Sequence, residues 1–92
     1  MKLEFNAVFR RSLFQRLGLD ERHISQRMKH ALSFCFEEVE VTYLAMGIFL
    51  ISLEQGYPDL ENTKDLIWDL LLEQFDGEVE EDNELEVSIV YP

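Results

Sequence analysis

Apolar and polar positions alternate from Lys2 to Phe9, with Leu3, Phe5, Ala7 and Phe9 on one side and Lys2, Glu4 and Asn6 on the other. A period of two predicts a strand with one buried face. The period then lengthens. Between Arg10 and Leu17, the residues Leu13, Phe14 and Leu17 fall at helical spacing, and Gly18 suits a left-handed C-terminal cap. A second helix follows, capped by Asp20, with Ile24, Met28, Ala31, Leu32 and Cys35 tracing its apolar face down to about Phe36.

The middle of the chain is less regular. The alternation Glu38, Val39, Glu40, Val41 within Glu37 to Thr42 admits either a short strand or a loop covering a helix start. From Tyr43 to Gln55, Leu44, Ala45, Met46, Ile48, Phe49, Leu50, Ile51 and Leu53 leave no polar face. That run predicts a fully buried helix, capped by Thr42 and ended by Gly56. After Tyr57 and Pro58, Leu60 to Phe75 reads as an amphipathic helix with Leu66, Ile67, Leu70 and Leu71 inward and Gly77 just past its end. Glu84 to Tyr91 alternates again, with Leu85, Val87, Ile89 and Tyr91 against Glu84, Glu86 and Ser88, and predicts a strand that pairs with the first. The expected architecture is α+β: a small sheet formed by the N- and C-terminal strands, with a helical middle of about four helices packed on one face.

Composition sharpens this picture. Ninety-two residues, 47% of them hydrophobic, predict a single domain spanning residues 1–92 and exclude a disordered chain. No continuous apolar segment precedes Arg10, so no secretory signal is expected. The longest uncharged run, Val41 to Leu53, is shorter than the roughly 20 residues a membrane helix needs. The lone Cys35 cannot close an intramolecular disulfide. These features predict a cytoplasmic protein without a membrane partner.

Charge changes the functional picture most. Seven basic residues (Lys2, Arg10, Arg11, Arg16, Arg22, Arg27, Lys29) stand against three acids in the first thirty positions, a balance of +4. From Ala31 onward Lys64 is the only base, facing sixteen carboxylates. A net charge of −11 argues against direct nucleic-acid binding and directs attention to cationic partners. One reading of the asymmetry is that the basic first third folds against the acidic remainder and neutralises part of it.

Catalytic motifs are absent. A nucleophile needs an adjacent base and a group to orient that base. His30 and Cys35 are five apart on a helix and diverge, and Cys35 reads as a core thiol. His23 and His30 share a face with Arg27 between them, a cation that discourages a metal. The chain has no phosphate-binding glycine loop, C-x-x-C pair or H-E-x-x-H helix. The acidic segment Asp76 to Glu86 lacks the ligand spacing of a calcium loop. The expectation is a protein that is not an enzyme and uses no cofactor or metal.

One constellation remains. Glu61, Asp65, Asp69 and Glu73 recur every four residues along the last helix, which places a carboxylate roughly every 6 Å on one stripe. With Leu66 at zero and about 100° per residue, the acids fall at about 220° to 340°, Trp68 near 200° and Leu72 near 240°. A tryptophan and a leucine therefore border a carboxylate band, which Asp76, Glu78, Glu80, Glu81 and Asp82 extend past the helix end. Aromatic area rimmed by charge suits a protein-binding hot spot. The same spacing admits a plainer reading: Trp68 packs under the C-terminal strand or the acidic loop, and the carboxylates form an ordinary solvated face.

Two functions fit. The first is an acidic protein-binding module, an inhibitor of the immunity-protein or antitoxin type that neutralises a cationic nuclease-like partner by occupying its phosphate-binding surface. The alternative is a small chaperone or adaptor subunit that dimerises or holds a client in an exposed apolar groove drawn from Tyr43, Phe49, Tyr57 and Trp68.

Overall fold

A computed structural model describes residues 2–54 and 59–90. Its elements are β1 (Lys2–Phe9), α1 (Arg11–Arg16), α2 (Glu21–Leu32), β2 (Val39–Ala45), β3 (Ile48–Glu54), α3 (Leu60–Gln74) and β4 (Leu85–Ile89), with a short 3-10 turn at Asp82–Glu84. The fold is α+β. Four antiparallel strands lie in the order β2-β3-β1-β4, with three helices among the described residues. The termini do pair: Phe9 opposes Leu85 and Phe5 opposes Ile89.

Cross-strand register places Leu3, Phe5, Ala7 and Phe9 on the same face as Phe49, Ile51, Leu53 and Val39. That face carries the core. The buried residues of α2 (Ile24, Met28, Leu32) and α3 (Ile67, Leu71) join it in one cluster with Phe75 and Leu85. Phe9 meets Phe49 and Phe75 edge-on, with ring centroids 5.2 and 5.3 Å away, the arrangement that aromatic quadrupoles favour.

The main correction lies between Val39 and Glu54. The expected buried helix from Tyr43 to Gln55 is a hairpin of β2 and β3, and the helix count falls from about four to three. Met46 and Gly47 form its two-residue turn with φ of 53° and 80°, the pair of positive angles that joins twisted antiparallel strands. Gly47 is required for a second reason: a Cβ there would lie 2.3 Å from the carbonyl oxygen of Phe9, whose own N–H donates to the Gly47 carbonyl at 2.8 Å. An uninterrupted apolar run describes a central strand, covered on its inner face and flanked by neighbours, as well as it describes a buried helix. The run 37–42 resolves accordingly into the start of β2. The expected stop at Gly56, the residues Tyr57 and Pro58, and the strand end at Tyr91 lie outside the described residues.

Other local expectations stand. Asp20 accepts the His23 N–H at 3.1 Å and caps α2, and Gly18 is left-handed at φ 83°. Cys35 does not reach the core. α2 ends at Leu32, so helical spacing no longer governs the next turn; Phe36 takes the buried place and Cys35 is exposed. α3 is rotated relative to the wheel: Thr63, Ile67 and Leu71 are buried, while Leu66 is 39% exposed.

Candidate functional site

Asp59 starts α3 by accepting the Asn62 N–H at 3.2 Å. From there the helix lies beside β4, with Ile67, Leu71 and the following Phe75 in the core. Fixing that inner face fixes the outer one. Glu61, Asp65, Asp69 and Glu73 are all exposed. Glu61 pairs with Lys64 at 2.9 Å, whereas Asp65, Asp69 and Glu73 make no ion pair among the described residues. α3 also lacks a basic residue in its last turn, so Glu73 sits near the negative end of the helix dipole without relief.

Trp68 is half-buried at the edge of this stripe. Its indole N–H donates to the Leu85 carbonyl at 3.1 Å. Strand pairing explains that bond: Arg10 donates to the Glu84 carbonyl, so in an antiparallel ladder the next carbonyl, that of Leu85, turns outward. Trp68 satisfies an edge group of β4 and leaves part of its ring on the rim of a groove of about 390 Å³, lined also by Lys64, Asp65, Glu86 and Val8. Leu72 is half-buried against the core. On the other flank of the stripe, a groove of about 460 Å³ between α2 and α3 is lined by Ala31, Phe34, Leu70 and Glu73. Phe34 there is 76% exposed.

The acidic segment after α3 separates from the stripe chemically. Arg27 holds Glu78 at 3.0 Å, donates to the Gln74 carbonyl at 2.9 Å and lies 4.4 Å over the Phe75 ring. Arg16 pairs with Glu84, approaches Glu80 at 3.5 Å and donates to the Glu78 carbonyl. Glu84 is buried; it accepts from Ser12 at 2.5 Å and from the Glu80 and Glu81 N–H groups at 2.9 and 3.2 Å. The Arg16 guanidinium, then the Ser12 hydroxyl, hold the Glu84 carboxyl far below the usual carboxylate range. Basic residues of the first third therefore do neutralise acids of the remainder, at Glu78, Glu80 and Glu84. Asp76, Glu81 and Asp82 stay exposed.

Of the sequence-derived candidates, the structure brings Asp65, Trp68, Asp69 and Glu73 onto one outer surface and sets Glu78 and Glu80 apart as arginine partners. The apolar groove expected from Tyr43, Phe49 and Trp68 does not form: Phe49 is fully buried, and Tyr43 stacks on Phe14 with centroids 5.9 Å apart. Tyr57 lies outside the described residues. Sequence reasoning missed Phe34, whose one signal was its place just past a helix end. Among the described residues no group of three or more His, Cys, Asp or Glu could hold a metal ion, and no helix is long and apolar enough to cross a membrane. No protein family matches the chain, and no curated protein is similar to it.

Proposed function

We propose that this protein is an acidic, cytoplasmic protein-binding module of the immunity-protein or antitoxin type, which neutralises a cationic nuclease-like partner by covering its phosphate-binding surface. The observation that supports this most is the stripe of Asp65, Asp69 and Glu73, exposed and without an ion pair among the described residues, in a molecule whose Arg16 and Arg27 are committed to other acids. A nuclease cleft is cationic because it holds phosphates, so carboxylates about 6 Å apart can follow the same track. Steering by unlike charge accelerates encounter, and the mostly buried Trp68 side chain adds some apolar area at the rim of the groove.

The test pairs the chain with the product of its neighbouring gene, assayed for nuclease activity and inhibition. Binding should weaken steeply as salt rises. The triple variant Asp65→Ala, Asp69→Ala, Glu73→Ala should lose on the order of tenfold or more in association rate, the kinetic signature of lost steering. Equal rates for wild type and variant would rule the stripe out. The reading as an adaptor or chaperone draws on a different observation, the exposed Phe34 beside Leu70 in the groove between α2 and α3. It requires a client whose binding responds to Phe34→Ala and hardly to salt.

A further inference from the structure

The two edges of the sheet are treated differently. β4 is five residues long, lies against α3, and has its outward Leu85 carbonyl taken by Trp68. β2 lies against α2 in the same way, but among the described residues no side chain bonds its outward backbone groups. Glu54 donates to the Glu38 carbonyl, so by ladder alternation Val39, Val41 and Tyr43 turn their N–H and C=O groups away from β3. The strand carries one charge, Glu40, and no proline or lysine, and its single irregularity follows Tyr43. Edges left this way are templates for another strand.

Beside that edge runs a groove of about 520 Å³ between β2 and α2. Its charged residues are Glu21, Arg22, Lys29 and Glu40, two of each sign, which makes it a neutral face on a chain of net charge −11. Two copies can meet here without the repulsion that forbids the α3 face. The groove positions on α2 run from Glu21 to Lys29, about 12 Å of helix centred on Ser25; those on β2 run from Glu40 to Tyr43, about 10 Å of strand centred between Val41 and Thr42. Helix and strand are in contact and joined by a short connection, so they run antiparallel, side by side. A two-fold axis through those centres serves both layers at once.

We infer that a second copy of this chain docks at this face, pairing β2 with β2 antiparallel into a continuous eight-stranded sheet, with α2 against α2 beneath it. Across the axis Glu21 of each copy faces Lys29 of the other, the small Ser25 meets its own counterpart, and Glu40 lies opposite Thr42 or a neighbouring uncharged residue instead of another Glu40. The contact is isologous and closes as a dimer. The α3 stripes then lie at the two far ends of the joined sheet, so this inference is independent of the proposed inhibitory function.

Sedimentation equilibrium of the full chain at low salt, from micromolar to submillimolar concentration, tests it. Wild type should sediment as a dimer. Lys29→Glu and Glu21→Lys should each raise the dimer dissociation constant about tenfold or more, because two attractions become two repulsions. The double reversal should restore the dimer, and Asp65→Ala with Asp69→Ala should leave it in place. Circular dichroism confirms that each variant is folded, since both residues are exposed. A monomer at every concentration, including one whose edge takes up a foreign peptide, overturns the inference; so does a dimer indifferent to both single reversals.

Discussion

Glu84 shows how one side chain ties distant parts of the chain together. Its carboxylate receives Ser12 and Arg16 from the α1 region and two N–H groups from its own loop. A folded-state pKa below the ordinary value of 4.5 means that the unfolded chain binds more protons as the solution is acidified. The stabilisation is therefore complete above about pH 4.5 and is lost as pH falls below it. Urea midpoints of wild type should drop between pH 5 and pH 3 (roughly this range). Glu84→Gln should start from a lower midpoint at neutral pH and show a shallower acid limb. Trp68 makes a smaller contribution: Trp68→Phe keeps most of the ring but removes the bond to Leu85, and should lower stability by about 1 kcal/mol in denaturant titration.

The elements test the two points at which sequence and structure part. If α3 is rotated as described, Ile67→Ala and Leu71→Ala each leave a cavity in the core and cost about 2–5 kcal/mol. Leu66→Ala, on the outer side, should cost well under that. The helical wheel alone would have ranked Leu66 with them, because five leucines and an isoleucine lie along α3 and the pattern does not say which of them meets the sheet. For the hairpin, Gly47→Ala combines left-handed backbone with a clash against Phe9. Strain alone is worth about 1–3 kcal/mol, and the clash adds to it. Gly77→Ala meets nothing within 4 Å and should be close to neutral. Thermal unfolding of the two variants side by side provides the comparison. β1, α2 and β4 were legible because each has one wet and one dry face; β3 was not, because its outer-face positions Ile48 and Leu50 are apolar as well, which erases the alternation that announces a strand.

Charge acts across the molecule as a field. The basic first third meets the acidic loop at Arg16 and Arg27, yet the α3 stripe is left with its mutual repulsion. Salt screens exposed charges far more than half-buried pairs. Raising ionic strength from near zero to a moderate value should therefore raise the melting temperature of wild type, and less so that of a variant carrying Asp65→Asn, Asp69→Asn and Glu73→Asn. The candidate surface was legible as a four-residue repeat of acids. Its division into a free stripe and an arginine-bound loop was not, since that depends on which carboxylates Arg16 and Arg27 can reach.

Local patterning was enough to establish the α+β class, a strand at each end of the chain, the caps at Gly18 and Asp20 and the acidic outer face of α3. Each follows from short-range spacing, because a face that must be dry or wet imposes its own period on the residues that line it. Long-range contact decided the rest. The 43–54 segment became a hairpin because β1 offered an edge to pair with and Phe9 left room for a glycine alone. Cys35 stayed outside because α2 stopped short of it, and Trp68 turned to β4 because an edge carbonyl there needed a donor.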